Sequence, residues 1–74
     1  MTLADAHRNR WVTVSEVGGE RSFRRRLLEM GFVAGTAVRV VGVAPMGDPM
    51  KLEVRGGLLS IRRAQAAAIR VESK

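Results

Sequence analysis

The chain has 74 residues, a formal net charge of +6, 46% apolar and 27% charged residues, and no cysteine. A chain of this length makes one small domain with a thin stability margin, because it buries only roughly 60% of its unfolded surface. Disulfides, thiolate nucleophiles and cysteine metal sites are excluded, the composition is that of an ordered globular domain, and no apolar run approaches the ~20 residues that cross a bilayer.

Residues 1–9 read as a leader with no secretory hydrophobic region, so a cytoplasmic protein is expected. Thr2 or Asp5 could cap a single turn there, and Asn9 suits a left-handed entry to a strand. From Arg10 to Val17 the pattern alternates, with Val12 and Val14 on one side and Trp11, Thr13 and Ser15 on the other. This predicts a strand of period two, with the large Trp11 ring covering the open end of the core. Gly18-Gly19 breaks the strand. Residues 20–30 then read as a helix, with Glu20 suited to the positive end of its dipole. Phe23, Leu27 and Met30 form an apolar stripe at helical spacing that closes the core. Arg24, Arg25 and Arg26 fall mostly on the other side, where Glu20–Arg24 and Arg25–Glu29 can pair weakly at a spacing of four. Leu28, beside the stripe, belongs either to the core or to an exposed surface. Gly31 is the left-handed residue expected to end the helix.

After Gly35-Thr36, residues 37–44 are β-branched and predict a second strand, with Gly42 marking a bulge or bend. Pro45-Met46-Gly47-Asp48-Pro49 is a turn. Residues 50–55 alternate again, with Leu52 and Val54 inward. Gly56-Gly57 is a hairpin connection, and residues 58–62 are the next strand, with Leu59 and Ile61 inward. Residues 63–68 are alanine-rich and read as one helical turn crossing the end of a barrel. Residues 69–72 are a last short strand, and Ser73-Lys74 a frayed end. Five short strands with one helix after the first predict a mainly β protein, a small closed barrel whose closure removes exposed sheet edges.

The residues offer little for catalysis. The single histidine, His7, lies in the leader, and Ser15, Ser22 and Ser60 have no evident base, so no nucleophile–base–orienter set is in view. Glu16 and Glu20 read as solvated surface. The expectation is a protein that is not an enzyme. Asp5 and His7 are spaced as two metal ligands, which cannot hold a metal without others from a second copy, and no cofactor is expected. Gly18-Gly19 precedes a helix but lacks the lysine and hydroxyl residue of a nucleotide-binding loop. The charge raises nucleic acid as an alternative partner, since small barrels bind it through basic faces with exposed aromatics. Here Arg24, Arg25, Arg26, Arg62 and Arg63 come with few aromatics, and Phe23 is on the apolar stripe, so a stacking platform is lacking.

The order of motifs then resembles a known family. Arg25-Arg26-Leu27-Leu28-Glu29-Met30-Gly31-Phe32 is followed by Gly35-Thr36 with Val38 and Val40. Ala44-Pro45-Met46-Gly47-Asp48-Pro49 and Val54-Arg55-Gly56 come next. Ile61-Arg62-Arg63, Ala66, Ile69 and Val71 complete the series. Together, from about residue 10 to residue 72, they resemble the ferrous iron transport protein A (FeoA) family. The resemblance implies an SH3-like β-barrel of residues 10–72. It also implies a small cytoplasmic accessory of the membrane ferrous iron transporter FeoB, whose cytoplasmic part carries a GTP-binding domain. Docking and regulation are the implied role, with recruitment to the inner membrane face by that partner and no membrane insertion. A homo-oligomer is left open. Ala6 and Asn9 stand where a leucine and a glycine are common in the family, Gly57 where a bulky residue is common, and Gln65 where an acidic one is.

Function is therefore expected to reside in a surface. Arg24, Arg25 and Arg26 offer charge-assisted pairing to an acidic face, with Leu28 as an apolar anchor if it escapes the core. Met46 and Asp48, presented by the stiff 45–49 turn, are the second candidate.

Overall fold

The computed structural model describes residues 1–73. A 3-10 turn, Leu3–Asp5, precedes β1 (Val12–Val17) and α1 (Arg21–Glu29). Three strands follow, β2 (Ala37–Val43), β3 (Met50–Val54) and β4 (Gly57–Ile61). A short α2 (Arg63–Ala66) leads into β5 (Ile69–Ser73). The strands form one antiparallel sheet in the order β4-β3-β2-β1-β5.

The alternation in the strands decides which face is buried, because successive side chains point to opposite sides. Val12, Val14, Val38, Val40, Leu52, Val54, Ile61, Ile69 and Val71 all turn into one core. Leu27, Phe32, Leu3 and Ala66 fill it from the remaining sides. Two register shifts bend the sheet around this core, one in β1 between Val14 and Glu16 and one in β2 between Val40 and Gly42. The second is the irregularity that Gly42 predicts.

Four expectations need correction. The β3–β4 connection is Arg55-Gly56, not Gly56-Gly57. Both Arg55 and Gly56 have positive φ, 53° and 79°, the left-handed pair that matches strand twist in a two-residue hairpin, and Gly57 already belongs to β4. Trp11 does not cap the core. It is partly exposed, and the Arg39 guanidinium lies 4.9 Å from its ring centroid. Arg39 in turn donates from Nε to Glu53 at 2.8 Å. The segment before β1, read as a leader, is packed into the domain. Leu3 is fully buried, Thr2 bridges Arg70, the Val71 N–H donates to the Met1 carbonyl at 3.0 Å and the Asn9 N–H to Val40 at 2.7 Å. The turn that carries Leu3 packs against both α2 and β5, which seats this leucine in the core. Finally, closure is partial. Among the described residues no ladder joins β4 to β5, which remain the two ends of the sheet, and α2 connects them.

Among the described residues no helix is long and apolar enough to cross a membrane.

Candidate functional site

Helix α1 begins where Gly19, at φ 93°, turns the chain out of β1. A Cβ on Gly19 would stand 2.8 Å from the Phe23 ring, closer than real contacts allow, so this turn and the ring position need glycine. The Glu20 carbonyl accepts the Arg24 N–H at 2.8 Å. The Glu20 carboxylate accepts the Ser22 hydroxyl.

The helix ends in a Schellman arrangement. The Gly31 N–H donates to the Leu28 carbonyl at 3.1 Å and the Phe32 N–H to the Leu27 carbonyl at 3.0 Å. These bonds satisfy carbonyls that a helix end leaves orphaned. Gly31 has φ 102°, and its missing Cβ leaves room for the Arg55 side chain, whose Cδ would lie 2.9 Å from one.

This reversal changes the expected stripe. Leu27 is buried and Phe23 half-buried, but Met30 is 40% exposed. Met30 is the C-cap residue just past the end of α1, and the chain turns back immediately after it. Phe32, fully buried, takes the core position beside Leu27 that helical spacing assigns to Met30. The apolar contact between the residues flanking the cap is what accompanies such motifs.

Leu28 is exposed, at 44%. On a helix, neighbours lie three and four residues apart, so Leu28 shares its flank with Arg24 and Arg25, and one turn further back with Arg21. All of these arginines are exposed. Arg21 went unread in the sequence, although its spacing of seven from Leu28 marks the same flank. Arg26, two positions from Leu28, falls on the far flank. Among the described residues the only ion pair on α1 is Arg25–Glu29 at 4.0 Å, with both side chains mostly exposed. Such a pair holds its partners weakly, and the expected Glu20–Arg24 pair is absent among the described residues. The result is an exposed apolar side chain with three arginines along the flank that leads up to it.

The 45–49 loop is a different kind of object. Met46 is 93% exposed, but Asp48 is half-buried and its Oδ1 accepts the Arg63 backbone N–H at 2.9 Å. Arg63 also donates from Nε to the Gly47 carbonyl at 3.0 Å and from Nη1 to the Ala4 carbonyl at 3.1 Å. One arginine thus ties the loop to α2 and to the N-terminal turn. Among the described residues no hydrogen bond or ion pair connects this loop to α1. The structure therefore groups Arg24, Arg25 and Leu28, sets Arg26 apart, and places Met46 and Asp48 on a separate support.

Asp5 and His7 are exposed. Among the described residues no three histidine, aspartate or glutamate side chains gather as a metal site would require.

The FeoA domain family model matches residues 1–73. The chain belongs to the FeoA family. A Porphyromonas gingivalis protein described as an Fe(2+) transport protein A/Fe(2+) transporter FeoB fusion is 40% identical over 72 residues. That match takes in 97% of this chain but only 8% of the fusion protein. Among solved structures, FeoA from Chlorobium tepidum superposes with a TM-score of 0.92 at 36% identity, covering 99% of this chain and 70% of that one. FeoA from Stenotrophomonas maltophilia, solved with zinc and described as an SH3 domain protein, gives 0.86 at 30% identity over 97% and 89% of the two chains. The mainly β, SH3-like architecture expected of a FeoA domain is thus the one this sequence adopts.

Proposed function

We propose that this FeoA domain serves ferrous iron uptake by docking on the cytoplasmic GTP-binding portion of the transporter FeoB and regulating it. The fusion of the two in the P. gingivalis relative supports a working association between them. The observation that carries the docking reading is Leu28, an exposed leucine on the same flank as Arg21, Arg24 and Arg25. An apolar anchor beside exposed arginines is the composition expected of an interface centre, and the arginines select an acidic counterpart. Met46, exposed on its tied loop, is a secondary contact, and Asp48 acts by holding that loop in shape.

The test is binding of this domain to the isolated cytoplasmic portion of FeoB by calorimetry. Reversing Arg24 and Arg25 to glutamate weakens binding by about tenfold or more, as expected from disrupting charge-assisted contacts. The Leu28→Gln variant weakens it comparably. Unchanged affinity in both variants moves the site off α1. Nucleic acid is the competing class of partner, and one face of Trp11 is already covered by Arg39, which takes a stacking surface from it.

A further inference from the structure

The two ends of the sheet are treated differently by the chain. The outer edge of β5 is covered by residues Met1 and Thr2, through the Thr2–Arg70 bridge and the bond from the Val71 N–H to the Met1 carbonyl. The outer edge of β4 has no such cover among the described residues. Its sequence is Gly57-Leu58-Leu59-Ser60-Ile61, with no charge and no proline, and its register with β3 is unbroken. Leu58 is 64% exposed. Sheet proteins ordinarily blunt a free edge with charge, proline or a bulge, and β4 has none of these.

The hairpin fixes which groups face outward. Arg55-Gly56 is a two-residue turn with both φ positive, so Val54 and Gly57 form its closing hydrogen-bonded pair. In an antiparallel ladder such pairs alternate with pairs that exchange no bonds. Leu52–Leu59 and Met50–Ile61 are the next bonded pairs. Leu58 and Ser60 therefore aim their N–H and C=O groups away from β3, offering two donors and two acceptors to an added strand.

The charge at the two ends of β4 says what that strand is. Arg55 stands at the turn end and Arg62 directly after Ile61, both exposed and neither in an ion pair among the described residues. A second copy of this chain is disfavoured. The antiparallel register that uses all the outward groups sets Leu58 of one copy against Ser60 of the other, and so brings Arg62 of each copy against Gly56 of the other, beside its Arg55. Like charges brought together across a strand pair destabilise it. The same arginines attract a strand with acidic residues at its ends.

We propose that the free edge of β4 receives an extended segment of a partner protein, uncharged through its middle and acidic at both ends. Main-chain hydrogen bonds supply the affinity and the flanking arginines the selectivity, the division of labour seen when a peptide adds a strand to a sheet. The main-chain groups of this site, on Leu58 and Ser60, are distinct from the flank of α1 that carries Leu28, and the Arg55 side chain at one end packs against Gly31 just beyond that helix.

The experiment is an NMR titration of the labelled domain with a peptide of alternating valine and threonine carrying an aspartate at each end, and with the same peptide carrying lysines instead. The aspartate peptide is expected to shift and protect the Leu58 and Ser60 amides, and to bind about tenfold more tightly than the lysine peptide. Ser60→Pro removes an outward donor without touching the β3 ladder and abolishes binding. If that variant loses the folded spectrum, Leu58→Lys serves instead, by placing charge on the edge. The Arg24→Glu, Arg25→Glu double variant leaves peptide binding unchanged, which separates this proposal from the docking of α1. Shifts confined to α1, or none at β4 in large peptide excess, overturn it. So does concentration-dependent broadening of the β4 signals in the protein alone, which makes a second copy the occupant.

Discussion

Two groups of arginines on this small domain differ in what surrounds them. Arg39 and Arg63 are wired into the fold: Arg39 bridges Trp11 and Glu53, and Arg63 joins Ala4, Gly47 and Asp48. Arg21, Arg24 and Arg25 lie on α1 around Leu28 with one weak ion pair among them. The first group spends its donors on carbonyls and carboxylates of its own chain. The second keeps its donors for water or for a partner. Residue type and side-chain charge are the same in both, so a basic composition does not reveal how much of the charge is available. The geometry of the acceptors does.

The comparison requires that α1 stay seated, and its seat is Leu27. Leu27→Ala, at a fully buried site, should cost about 2–5 kcal/mol in urea unfolding and disturb both groups at once. A smaller and more local effect is expected from Arg63→Ala. Loss of its side-chain bonds to two carbonyls should cost about 1–3 kcal/mol, and hydrogen exchange should quicken first around Gly47 and the N-terminal turn while α1 keeps its protection. If α1 loosens equally, the loop and the helix are not independent supports. Arg39→Ala should cost about 1 kcal/mol, because its ion pair and its contact with Trp11 are only partly shielded from water, and the Trp11 fluorescence should report the change. At the bottom of the scale, the Arg24→Glu, Arg25→Glu variant should unfold within about 0.5 kcal/mol of the parent. A larger loss would show that these arginines hold the fold after all, and would erase the distinction.

Much of the architecture can be read from the chain because each local cue has one physical solution. The alternation of Val12, Val14, Leu52 and Val54 leaves one face to bury. Gly31 is well suited to the left-handed position that ends α1, and Gly42 marks a bulge. What escapes the sequence depends on contacts between distant residues or on competition between neighbours. Met30 continues the helical spacing of Phe23 and Leu27, but the reversal at Gly31 hands its place to Phe32. Arg55 in a left-handed conformation is a less obvious choice than a glycine pair, so the hairpin reads one residue late. Leu3 is in the core because its turn packs against α2 and β5, elements some sixty positions away. Arg63 looks like part of a basic run, and only its three acceptors show that it is a tie. Of the candidate surface residues, the three consecutive arginines were visible, but their division between flanks, and the inclusion of Arg21, needed the helix to be placed.

The position of β1 has a consequence for the order in which this chain can assemble. β1 shares five residue pairs with β5 but only two with β2. The β2–β3–β4 meander is built from neighbours in sequence and can form as soon as it is made. The first strand has little to hold it until the last has emerged, since closing so long a loop precedes any gain from the pairing. During synthesis, a partly made chain therefore carries an early strand that waits, apolar and largely unpaired, for β5. A stall before β5 has been made leaves Val12 and Val14 exposed while the meander is already paired.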